Sequence, residues 1–343
     1  MENNILEKII KNKKAEELGK LDAIKVANGL FEELLERERD VLVRRFGLHG
    51  SESETLEKIG KLHKLTRERV RQIEATSIKK LKKIENLESS LGVIRGAVDQ
   101  LLTEHGGLME RDYLLDVLTV FCIDPTDNDK KELYKKHFDF LISKLLDDSI
   151  EKVGQSDSFN SVFRHKNNDV THLEEIGKEL NKEIDKQDKT LNIEELFGLL
   201  KQLSSYEKNN SKITDTGKTD MLDVFKNEVF PESGEVINAN KVLYSLVSAL
   251  KDVDRNKFGH WGKSDWPEIK PKKISDKIYL VLKQSGAPMH FTEIAEKINE
   301  VAFDKKKANS GTVHNELILD DRYVLVDRGR YGLKEWQKQA VAA

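Results

Sequence analysis

No proline occurs before Pro125, and none of the five in this 343-residue chain interrupts a helical pattern. Proline inside a helix removes a backbone donor and costs about 3 kcal/mol, so its placement leaves the first third of the chain free to be helical. Residues 1 to about 90 are written in Leu, Glu, Lys and Arg, with apolar residues three or four apart, the spacing that lines one face of a helix. Residues 91–166 read as helices that end in a hairpin, because SIEKVGQSDSFNSVFRHK alternates in two runs around a turn with Gly and Ser. The pattern is helical again from Thr171 to about Gln202 and from Lys241 to Lys251. The polar stretch between them, SSYEKNNSKITDTGKTD, reads as a loop or linker.

Length suggests two or three domains. The 58 Lys and Arg nearly balance the 61 Asp and Glu, for a net charge of −3. Non-specific polyanion binding by the whole chain is thereby disfavoured, and any nucleic-acid site must be a local basic patch. The single cysteine, Cys122, excludes an intrachain disulfide framework and fits a reducing compartment. It lies in the longest apolar run, 114–123, which contains Asp116, spans half a bilayer and is expected to pack in a core. The start, MENNILEKIIKNKK, has neither the flanks nor the length of a signal peptide, so a soluble cytoplasmic protein is expected.

Two segments near the C-terminus are alike: FGHWGKSDW (258–266) and RGRYGLKEW (328–336). Gly259, Trp261, Gly262, Asp265 and Trp266 match Gly329, Tyr331, Gly332, Glu335 and Trp336. Each follows a helical run, as a β-wing follows a recognition helix, which predicts two copies of one small unit.

Catalytic chemistry is hard to place. Gly217-Lys218-Thr219 and Gly262-Lys263-Ser264 look like the end of a phosphate-binding loop, but Lys212 and Lys257 stand where that loop needs a glycine. None of the nine histidines sits at a metal-ligand spacing, and the carboxylates alternate with lysines along helix faces. No enzyme, metal or cofactor is expected.

Residues 34–84 are the informative segment. Leu34, Leu35, Val41, Leu42 and Phe46 give a first helix its apolar face, and Gly47 stops it. Thr55 caps a second helix carrying Leu56, Ile59 and Leu62. A turn through Lys64-Leu65 leads to Thr66, which caps a third with Val70, Ile73, Leu81 and Ile84 inward. This is a helix-turn-helix, and residues 55–84 hold ten Lys or Arg against three Glu. The first turns of the third helix expose Arg67, Glu68, Arg71 and Gln72. Arg suits guanine, Gln suits adenine, and Glu accepts from a cytosine amino group.

The segment resembles region four of bacterial primary sigma factors, which reads the promoter −35 element. The resembling residues are Arg37-Glu38, Val41-Leu42, Arg45-Phe46-Gly47, Thr55-Leu56-Glu57, Ile59-Gly60-Lys61 and TRERVRQIEA from Thr66 to Ala75. The resemblance implies that Arg67, Glu68 and Gln72 read bases and that Arg71 reads a base or adjacent phosphate. It also implies that Thr55, the Leu56 backbone N–H and Arg45 meet phosphates, and that the segment docks on the polymerase β flap. Lys79 is a further expected phosphate contact. Leu35 replaces the family's capping Thr, which predicts that the first helix continues from Phe31, and Thr76 replaces a Lys. Nothing resembles the aromatic-rich region two that melts the −10 element.

The C-terminal unit, 272–336, resembles the HARE-type winged helix-turn-helix, which also occurs in the delta subunit of bacterial RNA polymerase and in restriction-associated and chromatin proteins. The resemblance rests on PMHFTEIAEKIN (288–299), TVHNELI (312–318) and RYVLVDRGRYGLKEW (322–336). Ile294, Ile298, Val313, Leu317, Val324 and Leu333 are its expected core. Lys305, Lys306, Lys307, His314, Asn315, Arg328 and Arg330 are expected on the exposed helix and wing as DNA or partner contacts.

The expected architecture is mainly α, with tandem helix-turn-helix and winged helix-turn-helix domains and short hairpin wings. The expected divisions are 1–30 (helical), 31–90 (sigma-like), 91–168 and 171–270 (both winged-helix-like) and 271–338 (HARE-type). The expected function is a sequence-specific transcription regulator binding double-stranded DNA on the bacterial nucleoid, away from membranes. The alternative is a delta-like polymerase accessory protein acting through protein contacts.

Overall fold

Side-chain caps set the helix boundaries at the start of the fold. Asp22 Oδ1 accepts from the Ile24 and Lys25 N–H groups (3.1 and 3.0 Å) and begins α1 (Ala23–Phe31). The computed structural model describes residues 5–6, 21–122, 128–213 and 219–337. Most of the expected helical segment 1–30, and Gly217 and Lys218 of the first Gly-Lys-Thr tripeptide, lie outside them.

Next come α2 (Glu36–Phe46), α3 (Leu56–His63) and α4 (Arg67–Leu81). The first helix does not continue from Phe31 as expected. Three short-range bonds tighten the chain there, from Glu32, Glu33 and Leu34 N–H to Gly29, Leu30 and Phe31 carbonyls (3.3, 3.4 and 3.2 Å). Leu35 is then extended (φ −65°, ψ 151°). It has no side-chain oxygen for a cap, but the Glu38 carboxylate accepts its N–H at 3.1 Å, half of a capping box. Its side chain is 69% exposed, not part of the apolar face.

The chain continues as α5 (Leu87–Glu104), β1 (Leu108–Glu110), α6 (Arg111–Cys122), α7 (Asn128–Leu145), β2 (Ile150–Val153) and β3 (Val162–His165). The expected hairpin is present, antiparallel from Ile150 opposite His165 to Val153 opposite Val162. The sequence reading missed β1, which pairs with β3 and completes a sheet of order β1-β3-β2. Cys122 is half-buried, and burial pushes its thiol pKa up.

Then follow α8 (Thr171–Gln187), α9 (Ile193–Lys201), α10 (Ser204–Asn209), a 3₁₀ turn (Asn210–Lys212), α11 (Leu222–Phe225), α12 (Gly234–Ala239) and α13 (Lys241–Ala249). The stretch read as a loop therefore begins with a helix. The Glu179 carboxylate caps it, accepting from Ser204 Oγ and Ser205 N (both 2.9 Å), a long-range cap with no local signal.

The remaining elements are β4 (Val253–Arg255), β5 (Trp261–Lys263), α14 (Ile274–Ser285), β6 (Met289–His290), α15 (Phe291–Val301), α16 (Ser310–Leu319), β7 (Tyr323–Asp327) and β8 (Arg330–Leu333). Their last sheet has the order β6-β8-β7, the same pattern as β1-β3-β2. The fold is thus mainly helical, with small antiparallel wings.

The described chain divides into two compact units, Met1–Glu179 with Leu200–Lys251 and Leu180–Leu199 with Asp252–Ala343. In the first, the buried Phe140 ring on α7 packs against Phe31 (5.6 Å between centroids) and Phe46 (5.0 Å), joining α7 to α1 and α2. A buried ion pair in the same unit joins Lys241 to Glu104 (3.0 Å), with the Thr219 hydroxyl and carbonyl completing their hydrogen bonds. Thr219 is therefore engaged in an interior network, as a buried charge pair requires.

In the second unit, Ile294, Ile298, Val313, Leu317 and Leu333 are buried as expected. Val324 is only half-buried; its neighbour Tyr323 turns inward and donates its hydroxyl to the Ser275 carbonyl. The two similar segments adopt the same local structure. Gly259 and Gly329 both have positive φ (79° and 67°), and Trp261 and Tyr331 are both buried. A Cβ at Gly262 would lie 2.7 Å from the Trp266 ring, and one at Gly332 would lie 3.2 Å from the Trp336 ring. In both, the tryptophan four residues on closes over the glycine. Leu191 bridges Trp261 just as Met289 pairs with Tyr331.

Candidate nucleic-acid interface

The helix-turn-helix is built by two threonine caps and one glycine. Thr55 Oγ1 accepts from Lys58 N and Thr66 Oγ1 from Arg69 N (both 3.2 Å), so α3 and α4 start where the sequence predicts. Between them, Lys64 is left-handed (φ 55°, ψ 42°) and Leu65 N–H closes on the Gly60 carbonyl at 2.8 Å. A Cβ on residue 60 would lie 2.7 Å from the Leu65 carbonyl oxygen, so the turn passes α3 more closely than any side chain permits.

Val41, Ile59, Val70 and Ile73 form the buried core beneath this motif, with Leu56 and Leu65 packed against it. Polar contacts brace the same geometry. Asp40 accepts from Arg44 Nε at 2.8 Å and lies 2.7 Å from His63 Nε2, joining α2 to α3. Lys80 pairs with Glu38 at 2.5 Å, joining α4 to α2, and this bond holds the Glu38 carboxyl below its usual range. The Asp40–Arg44 spacing is visible in the sequence; the other two contacts carry no local signal.

Arg67, Glu68, Arg71 and Gln72 are all exposed on the first two turns of α4. They are also partly self-paired. Arg71 Nε and Nη2 donate to Glu68 Oε2 and Oε1 (2.9 and 2.7 Å), and Arg69 Nη1 donates to Gln72 Oε1 at 3.2 Å. The Arg71 hydrogen bonds lower the Glu68 pKa, and Glu68 raises that of Arg71. Both groups are fully charged at neutral pH and available for exchange with base edges or phosphates.

Arg45 stands at one edge, its Nη1 donating to the Glu54 carbonyl (3.1 Å) and its Nε 3.3 Å from Glu74. Thr55 is exposed next to Glu54 in sequence, and Leu56 begins α3, where helical geometry leaves the first N–H groups without intrahelical partners. Lys79 is exposed further along α4. The charge-bearing set from Arg45 to Lys79 therefore lies on one braced motif.

The C-terminal candidates are less uniform. Lys305, Lys306 and Lys307 are exposed in the turn before α16, not on the helix as expected, because Asn309 caps α16 only after them. His314 is half-buried, its ring centroid 4.6 Å from that of Phe291 and 5.9 Å from that of Tyr331, so part of its surface is taken up by packing. Arg330 Nη2 donates to the Pro288 carbonyl at 2.9 Å. Asn315 and Arg328 are exposed.

Among the described residues, no cluster of His, Cys, Asp or Glu has the geometry to hold a metal ion. No helix among them is long and apolar enough to cross a membrane.

Comparison with known proteins matches residues 30–83 to the family described as Sigma-70, region 4. Residues 274–336 match the HARE-HTH family, whose description names a restriction endonuclease HTH domain. Both are DNA-binding domain types and neither is catalytic. The RNA polymerase sigma factor RpoS of Coxiella burnetii is 48% identical over 60 residues, 18% of this chain and 17% of that protein. The RNA polymerase sigma factor SigA of Lactococcus lactis subsp. cremoris is 57% identical over 49 residues, 14% of each chain. The chain thus spans no more than 17% of the length of these curated relatives. No solved structure matches.

Proposed function

We propose that this chain is a sequence-specific DNA-binding transcription regulator that reads a −35-like promoter element through α4. The observation that carries the reading is the exposed quartet Arg67, Glu68, Arg71 and Gln72 on the first two turns of α4. It stands on a motif within residues 30–83, the stretch that matches Sigma-70, region 4, with threonine caps on α3 and α4 and a buried core beneath them. In this reading Arg67 binds a guanine edge, Gln72 an adenine edge, and Glu68 a cytosine amino group. Arg71 leaves Glu68 for a base or an adjacent phosphate. Arg45, Thr55, the Leu56 N–H and Lys79 hold phosphates and fix the register. The same motif docks on the polymerase β flap, and the protein works on the bacterial nucleoid, in the cytoplasm.

The divisions 1–30, 31–90, 91–168, 171–270 and 271–338 belong to the proposal. The winged units extend the footprint or bind partners. In the last of them Lys305, Lys306, Lys307, His314, Asn315, Arg328 and Arg330 are the proposed DNA or partner contacts.

Arg67→Ala and Gln72→Ala are expected to relax preference at one base each, by roughly 1–3 kcal/mol of discrimination, with the fold intact. Lys79→Ala is expected to weaken specific and random duplexes alike. Titration of both duplex types with each variant checks this. Equal losses on the two for Gln72→Ala would remove base readout and bring the polymerase-accessory reading forward.

A further inference from the structure

A cleft of about 930 Å³ lies in the first unit where the helix-turn-helix meets the sheet-bearing segment that follows it. Arg45, Phe46 and Ser53 form its rim on one side, and α7 and β2 form the other. Its far wall is a helical stripe: Lys136, Phe140 and Lys144 recur every four residues on α7 and so share one face. Phe140 at the centre packs on Phe46, while the Lys144 ammonium lies 5.6 Å from the Phe46 ring centroid. Lys136 Nζ donates to the Ser51 carbonyl at 2.8 Å, tying the stripe to the loop before α3.

Six cations line the cleft against four carboxylates. Three of the four carboxylates are committed, while Glu52 is exposed beside Ser53. Asp139 is held by Arg111 and Lys152, Asp147 by Lys82, and Glu151 by Arg164. Lys136, Lys144 and Lys166, by contrast, make no salt bridge with a carboxylate among the described residues; Lys166 Nζ donates only to the Asp147 carbonyl oxygen, at 3.2 Å. Three ammonium groups without a carboxylate partner therefore face a groove that opens beside Arg45.

We infer that this cleft is a second DNA-backbone site, in which Lys136, Lys144 and Lys166 take phosphates of the duplex flanking the element read by α4. Arg45, the proposed edge-phosphate contact, lines the same groove as the three cations without carboxylate partners, and Phe46 and Phe140 join α7, which carries two of them, to the helix-turn-helix. The inference rests on the proposed role of α4 for its placement on DNA. It does not depend on base readout, because phosphate contacts carry no sequence information.

The test uses the full chain and random-sequence duplexes of two lengths, one just covering the helix-turn-helix and one extended by about a turn on each side. The salt dependence of binding is measured for wild type, Lys136→Gln/Lys144→Gln and the exposed Lys166→Gln. Each phosphate contact adds about 0.9 to the slope of log K against log salt. The double variant is expected to lose about 1.8 on the long duplex, roughly a tenfold change in the ratio of affinities between 50 and 200 mM salt, and nothing on the short one. Lys166→Gln should lose about 0.9 on the long duplex, a check free of any effect on Lys144 packing. Unchanged slopes on the long duplex for both variants would overturn the inference. Repeating the titration with the site selected by the protein separates the two proposals. Loss of sequence preference with the length effect retained removes base reading alone, while sequence preference without a length effect removes the cleft alone.

Discussion

Alanine at Gly60 and alanine at Gly92 replace the same residue within helices, α3 and α5, yet the structure predicts opposite outcomes. Helix propensity favours both changes by up to about 1 kcal/mol. At Gly92 a Cβ meets nothing within 4 Å, so the gain should be realised, stabilising α5 by about 0.5–1 kcal/mol. At Gly60 the Cβ would lie 2.7 Å from the Leu65 carbonyl oxygen, well inside normal carbon–oxygen contact. The clashing atom is backbone, in the residue whose N–H is itself bonded to the Gly60 carbonyl at 2.8 Å, so it cannot swing away as a side-chain tip would. Overpacking of this kind costs about 1–3 kcal/mol, which leaves a net loss of up to about 2 kcal/mol after the propensity gain. Thr66, next along the chain, caps α4, so relief of the clash shifts the end of α4 that carries Arg67 and Glu68. Amide hydrogen exchange reads each helix separately in a chain with two units. Faster exchange in α3 and α4 for Gly60→Ala, and slower exchange in α5 for Gly92→Ala, is the expected pair. If Gly60→Ala were stabilised as much as Gly92→Ala, the close approach at the turn would be refuted.

Two further predictions address packing and titration. Phe140→Ala removes a ring that is 1% exposed and touches both Phe31 and Phe46, so a loss of about 3–5 kcal/mol is expected in urea unfolding of the first unit; a loss below about 1 kcal/mol would show that this contact does not hold α7 to α1 and α2. Burial pushes the Glu110 carboxyl up to about 7, while it accepts the Tyr113 N–H at 2.7 Å. The folded state then holds a proton that the unfolded state releases between pH 4.5 and 7, so stability falls as pH rises through that window. Glu110→Gln keeps the acceptor and should stabilise by roughly 2–3 kcal/mol at about pH 8 but little at about pH 4.5. Equal effects at both pH values would remove burial as the cause.

Where local chemistry decides, the sequence was readable. Thr55, Thr66 and Gly47 are short-range signals, and all three end or begin a helix as expected. The hairpin of β2 and β3 and the paired Gly-aromatic-Gly segments were legible for the same reason. What escaped depends on distant partners or on lengths too short for periodicity. Leu35 cannot cap, which predicts a continuous helix through it, yet Glu38 accepts its N–H from inside α2. Helix α10 depends on Glu179, 25 residues upstream of Ser204. Strands β1 and β6 have three and two residues, below the reach of an alternation test. Val324 and Tyr323 differ by one position in a strand, and a one-residue offset exchanges the faces; the Tyr323 hydroxyl gains the Ser275 carbonyl by turning inward. The packing of the His314 ring beside Phe291 and edge-on to Tyr331 has no local signal in the sequence. The exposed face of α4 was fully legible in the sequence, but the Arg71–Glu68 pairing within it emerged only from side-chain geometry. The cleft cations were invisible in the sequence because α7 meets the loop before α3 across 85 residues, at Lys136 and Ser51.

The most direct test of the central claim is selection of binding sites from a random duplex library by the full chain at near-physiological salt, followed by sequencing of the survivors. An enriched motif resembling a −35 hexamer, lost in an Arg67→Ala/Gln72→Ala variant of unchanged fold, is the expected result. Survivors with no common motif, or a motif that the variant still selects, would contradict base reading by α4.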